Sequence, residues 1–139
     1  MNITEIPFNK FLGISLANNK DYLLQLDARP EYTNHLGTVH AAALFTLAEG
    51  SGAQFLLNCF PDQANDVIPV VRKVEVTYKK PAIGVIVSTA HFKSNTVENI
   101  QLQLTTKKRA SLITTVELFD SAGNRVFMAD FEWFVTLKI

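Results

Sequence analysis

Apolar residues crowd one segment of the chain and alternate with polar ones through most of the rest. From Ala41 to Leu57 only Thr46, Glu49, Ser51 and Gln54 carry polar side chains. A helix that is apolar on almost every face is a buried helix. The pattern predicts one from about His40 to Asn58, with Thr38 as its cap and Pro61 as its stop. Gly50 and Gly52 each weaken such a helix by roughly 1 kcal/mol relative to Ala. Their presence predicts close approach, by a strand or by a second copy of the helix.

The flanking segments read as strands. Leu12–Leu16 and Tyr22–Ala28 form a hairpin pattern around the turn cluster Asn18–Asp21. Val67–Lys79 is rich in β-branched residues, and Val74, Val76 and Tyr78 alternate with Lys73, Glu75, Thr77 and Lys79. Val85–Phe92, Ser111–Phe119 and Arg125–Leu137 complete the set. Residues 95–109 fit a strand through Ile100, Leu102 and Leu104. They also fit a short helix with Glu98 early and Lys107, Lys108 and Arg109 late, and those end charges tip the reading to helix. Residues 1–11 are a lead-in whose Phe8 and Phe11 cover an end of the core. The order predicts an α+β fold: one domain over 1–139, a curved antiparallel sheet wrapped around one long buried helix.

Composition narrows the function classes. The chain has 139 residues, 47% of them hydrophobic, enough for one domain with its own core. Lys plus Arg equals Asp plus Glu at 13 each, so nothing favours nucleic acid or an anionic membrane as partner. Cys59 is the single cysteine, which excludes an intrachain disulfide and reads as packing at the helix end. The first residues lack the basic start and apolar run of a signal peptide, and no apolar stretch is long enough to span a bilayer. The expected location is the cytoplasm. There is no His or Cys cluster at metal spacing, no phosphate-cradling glycine loop and no Gly-x-Ser-x-Gly elbow, so no metal and no bound cofactor are expected.

Glu49 is the residue the pattern does not absorb. Among Leu47, Ala48, Ala53 and Phe55 a carboxylate loses hydration, so it must be paired, hydrogen-bonded, protonated or open to a cleft. Ser51 and Gln54 are close enough along the helix to be partners. A structural Glu held by such a partner and a functional Glu in a cleft are both consistent with residue type alone.

The helix opens on Asn34-His35-Leu36-Gly37-Thr38-Val39-His40, an Asn-x-x-Gly-x-x-His turn, with an acid nine residues after the His. This arrangement resembles the hotdog-fold acyl-CoA thioesterases, in particular the phenylacetyl-CoA thioesterase-like branch. That branch carries Asn-x-x-Gly-x-x-His-Gly-Gly and an Asp in the helix. Asn34, Gly37, His40 and Glu49 fall on those positions, and Val74 to Ala82 is similar to the branch's central strand and its exit. Here the motif ends His40-Ala41-Ala42 and the acid is Glu, as in a hotdog subfamily of poorly characterised function. Val71 falls where some relatives carry an assisting Ser or Thr.

The resemblance implies acyl-CoA as substrate, with CoA entering only as part of it, and a homodimer or dimer of dimers. Glu49 would be general base or nucleophile, and the helix N-terminal amides near Ala41 and Ala42 an oxyanion hole. Asn34 positions water or the acyl carbonyl, or else closes the turn on its own backbone. His40 contacts the thioester or supports the turn, and Gly37 is a backbone requirement of that turn. Arg72, Lys73, Lys79 and Lys80, with Lys107, Lys108 and Arg109, are candidates for a basic rim around CoA phosphates, or are ordinary solvated charges. Phe45, Phe55 and Leu56 would set the length of an acyl tunnel between helix and sheet. Nine helical residues separate His40 from Glu49 by about 13 Å and half a turn, so the site is expected to be shared between two antiparallel helices of a dimer. The competing reading is a non-catalytic domain that binds acyl-CoA or another apolar ligand.

Overall fold

A computed structural model describes residues 1–138. Its elements are α1 (Pro7–Phe11), β1 (Ser15–Leu16), β2 (Leu24–Leu26), α2 (Ala41–Cys59), β3 (Val67–Tyr78), β4 (Ile86–Ser94), α3 (Val97–Lys107), β5 (Arg109–Phe119) and β6 (Arg125–Leu137). All strands join one antiparallel sheet in the order β1-β2-β4-β5-β6-β3. The sheet curls around α2, which packs against β2, β3, β4, β5 and β6. This is the hotdog architecture.

Alternation along the strands builds the core. On β6, Phe127, Ala129, Phe131, Trp133 and Val135 point inward and are buried, while Met128, Asp130, Glu132 and Phe134 lie between them on the outer face. Leu44, Leu47, Leu56 and Leu57 of α2 close the core from the helix side. The two helix glycines have separate reasons. A Cβ at Gly52 would come within 2.8 Å of Trp133 Cζ2 and 3.3 Å of Thr114 Oγ1, so the strand face comes close there. A Cβ at Gly50 would meet Ile3 Cγ2 at 3.4 Å, an ordinary contact with the N-terminal segment.

Several boundaries differ from the sequence pattern. The first two strands shrink to Ser15–Leu16 and Leu24–Leu26: Leu12 caps α1, Gly13 has φ +71° and Ile14 N donates to Asn9 O at 3.0 Å, while Ser88 Oγ accepts from Leu24 N at 3.1 Å. The cap of α2 is His40 and not Thr38, because His40 is the last residue with extended backbone and its ring nitrogen reaches the first turn. The helix runs to Cys59, whose half-buried thiol packs against the core. Residues 97–107 are helical, capped by Thr96 Oγ1 on Asn99 N at 3.1 Å and ended by Lys108 in a left-handed conformation.

β3 forms one edge of the sheet and pairs only with β6 among the described residues. A bulge at Arg72 inserts one residue between Val71, opposite Trp133, and Lys73, opposite Glu132. It resets the alternation, so Val71, Val74 and Val76 all pack on the core. None of the described helices is long and apolar enough to cross a membrane.

Candidate functional site

The turn before α2 is held by Asn34. Its Oδ1 accepts from Leu36 N (2.9 Å) and Thr38 N (3.1 Å), its Nδ2 donates to Thr38 Oγ1 (3.0 Å), and its backbone N–H donates to Thr38 O (2.8 Å). The side chain thus bonds its own turn. Gly37 has φ +74° with nothing within 4 Å of a built Cβ, so the backbone angle, not space, calls for glycine. His40 N donates to Tyr32 O at 2.7 Å and Val39 N to Ala82 O at 2.9 Å, which ties the turn to its neighbours.

Helix N-termini carry amides without intrahelical acceptors. In α2, Ala43 and Leu44 both donate to His40 O, and Ala42 N donates to His40 Nδ1 at 3.0 Å. An accepting Nδ1 places the neutral ring's proton on Nε2. Among the described residues no acceptor faces Ala41 N–H. One amide at the positive end of the helix is therefore free, and it is not the one beneath the histidine.

Ala41 opens onto a cleft of about 270 Å³ shared with Asn34, Leu44, Tyr78, Lys79 and Lys80. Four of the residues expected from the sequence meet here: Asn34, Ala41, Lys79 and Lys80. Tyr78 is the addition. Its ring packs edge-on against Phe127 at 5.3 Å, and its hydroxyl stands 3.4 Å from Ala41 O. Partial burial pushes the phenol pKa up, which keeps the O–H as a donor. In the sequence pattern Tyr78 is one of the alternating residues of a strand. The signal that it lies at the cleft is its place directly before Lys79-Lys80-Pro81, at the end of β3.

Arg72 and Lys73 are not part of this cleft. Arg72 stacks over Phe134 at 5.5 Å on the outer face of the sheet. Lys73 faces Glu75, Asp130 and Glu132 beside the Lys93–Asp130 ion pair. The bulge at Arg72 turns Lys73 outward, so Arg72 and Lys73 both lie on the outer face of the sheet, away from the cleft that Lys79 and Lys80 line beyond the strand's end.

Glu49 shares a helix face with Ala42 and Phe45, at steps of three and four. Ala42 is exposed, and Phe45 and Glu49 are half-buried, so the sheet does not cover this face. Phe45 leans on Phe131 with ring centroids 5.8 Å apart. Neither helical neighbour partners the acid. Ser51 Oγ lies 2.6 Å from both Leu47 O and Ser88 Oγ, and Gln54 Nε2 donates to Asn58 at 2.9 Å. With desolvation as its cause, the Glu49 carboxyl pKa is raised. The eight residues from Ala41 to Glu49 correspond to about 12 Å of helix, so a single chain does not bring the acid to the free amide. The other expected tunnel residues are packed: Leu56 is sealed in the core and Phe55 sits edge-on against Phe92 at 4.9 Å. Among the described residues no group of three His, Cys, Asp or Glu side chains is placed to hold a metal.

Residues 14–135 match a domain of unknown function, DUF4442. No curated protein matches the chain. Similar solved structures include a Pseudomonas aeruginosa protein of unknown function named as a probable thioesterase, 24% identical, TM-score 0.78, covering 97% of this chain and 91% of that one. A Bacillus halodurans protein solved with CoA is 20% identical with TM-score 0.63, over 81% of this chain and 69% of that one. The Escherichia coli PaaI protein, from the phenylacetic acid degradation operon, is 13% identical with TM-score 0.67, over 96% and 85%. At these identities the likeness is one of fold. With the family matched over most of its length and the hotdog sheet closed around α2, the chain belongs to the DUF4442 family of hotdog-fold domains.

Proposed function

We propose that this protein hydrolyses acyl-CoA thioesters at a site shared between two protomers. The observation that carries the reading is Glu49: a half-buried carboxylate with no partner among the described residues, on a helix face its own sheet leaves open. Stability alone gives no reason to keep such a group there. The free edge of β3 supports a second copy as the cover, since eleven of its residues pair on one side only and Val70 is half-exposed along it. Two-fold pairing there would set two α2 helices side by side and antiparallel. Glu49 of one protomer would then face the Ala41 amide of the other.

In this arrangement the Glu49 carboxylate takes a proton from water as the water oxygen bonds to the thioester carbon. The carbonyl oxygen becomes an oxyanion, held by Ala41 N–H and by the Tyr78 hydroxyl rotated away from Ala41 O. Collapse breaks the carbon–sulfur bond, and the leaving thiolate takes the proton back from Glu49. Direct attack by Glu49, through an anhydride that water then cleaves, balances equally. Lys79 and Lys80 supply positive charge for CoA phosphates, and Asn34 with Gly37 holds the turn that aims the amide. A CoA-bound structure among the similar folds supports CoA as the carrier.

The test is thiol release from a panel of acyl-CoAs by wild type and Glu49→Gln, with size measured on both. Loss of about 10²–10⁴ in kcat in a folded Glu49→Gln protein of unchanged size supports the mechanism. Unchanged hydrolysis rejects it. One observation favours a non-catalytic binding domain as the second reading: His40 occupies the Ala42 amide, leaving a single backbone donor for an oxyanion. Acyl-CoA binding without turnover would select that reading.

A further inference from the structure

The open side of the helix end carries a second concavity. A groove of about 190 Å³ runs between α1 and α2, walled by Phe8, Leu12, Tyr32, Ala42, Ala43 and Thr46. It starts at Ala42, one residue on from the amide that opens into the lysine-bearing cleft, so the two concavities flank the helix N-terminus. Phe8 is 60% exposed over it, on a helix of only five residues.

The groove is preformed. Tyr32 Oη donates to Leu12 O, and buried Asn9 donates to Ile3 O at 2.9 Å while its own carbonyl accepts from Ile14 N at 3.0 Å. These bonds pin α1 against the turn that precedes α2. Two polar atoms of the wall are already bonded: Thr46 Oγ1 donates to Ala42 O at 2.9 Å, and His40 Nδ1 accepts from Ala42 N. What remains is a mainly apolar trough with the exposed Glu31 carboxylate and the exposed His40 ring on its rim. By contrast, the seam between α2 and the sheet is filled by Leu47, Leu56, Phe131 and Trp133, all 1% exposed or less, and cannot admit a chain without displacing them.

We infer that this groove receives the acyl portion of the thioester, an uncharged group of about phenyl or six-carbon size, with Phe8 as its outer wall. The inference rests on the thioesterase reading for the identity of the ligand. An apolar cavity of about 150 Å³ is large enough for a benzene ring, so the volume fits such a group. The amphipathic substrate then has a separate place for each end: the CoA phosphates by Lys79 and Lys80, the acyl chain by Phe8, and the carbonyl between them at Ala41. The Glu31 carboxylate opposes acyl groups that end in a carboxylate.

The experiment measures hexanoyl-CoA against acetyl-CoA in two ways. Hydrolysis is followed with Glu49 intact, and affinity is followed by calorimetry in protein carrying Glu49→Gln. Each is done with and without Phe8→Ala, an exposed position whose truncation leaves the core intact. Phe8→Ala is expected to lower the hexanoyl-to-acetyl ratio about ten-fold in both, whereas Leu102→Ala, on the exposed face of α3, leaves it unchanged. An unchanged ratio in Phe8→Ala overturns the groove assignment, even where hydrolysis is robust. A lowered affinity ratio with no hydrolysis by the Glu49-intact protein overturns the thioesterase reading and keeps the groove. Failure of both acyl-CoAs to bind overturns both.

Discussion

A carboxylate is least comfortable where burial strips its water and no donor replaces it, and Glu49 is in that condition. Its raised pKa has two consequences with opposite value. Between the unfolded and folded pKa the native state holds the extra proton, so stability falls as pH rises through that window. Glu49→Gln is therefore expected to raise the Tm at neutral pH, with the gap closing below the ordinary carboxylate range; a Tm series across pH on both proteins checks this. Activity runs the other way, because a general base must be ionised: kcat should fall as pH drops through the raised pKa, above the range of a free glutamate. Tyr78→Phe keeps the ring on Phe127 and loses only the hydroxyl. It should lower kcat about ten-fold, the effect of roughly 1.4 kcal/mol, with the fold unchanged by circular dichroism. At this scale Glu49 was legible in the sequence because a lone acid in an apolar helix breaks the pattern. Tyr78 was not, because an aromatic in an alternating strand fits it. Asn34 stood open between two roles, and its bonds to Leu36 and Thr38 place it within the turn.

Element by element, the central helix shows how one residue type answers different demands. Gly52 is required by the approach of Trp133, whereas Gly50 has ordinary room beside Ile3. Gly52→Ala is expected to destabilise by about 1–3 kcal/mol through overpacking. Gly50→Ala is expected to stabilise by up to about 1 kcal/mol from helix propensity. Urea unfolding of the pair reads both signs in one experiment. The existence of α2 and the four long strands was legible, because apolar periodicity is a property of local sequence; for α3 the apolar positions fitted a strand as well, and its end charges tipped the reading to helix. Their finer limits were not. Whether β2 begins at Tyr22 or at Leu24 depends on Ser88, distant in sequence, taking the Leu24 amide. Whether Lys73 faces outward beside Arg72 depends on the bulge that sets Val71 opposite Trp133 and Lys73 opposite Glu132. Long-range bonds decided both.

At the scale of the whole molecule, the proposed site needs two chains, and the helix start offers a way to test that. Ala41 is the first residue of α2, where proline is tolerated because the N–H has no intrahelical acceptor. The preceding His40 has φ −62° and ψ 139°, a conformation proline allows in its neighbour. Ala41→Pro should therefore fold while removing the one free amide, and kcat should fall about 10²–10³. Glu49→Gln removes the acid from the other half of the site. Each variant alone is expected to be inactive. Refolding them together at equal concentration makes half the dimers mixed. Each mixed dimer has one site with both lesions and one with neither, so about a quarter of the wild-type activity should return. If acid and amide acted within one chain, no pairing would place an intact set in any site, and mixing would restore nothing. A complementing pair would also explain why the Ala42–Phe45–Glu49 face of α2 is left open by its own sheet: that face would be built for the helix of a second copy.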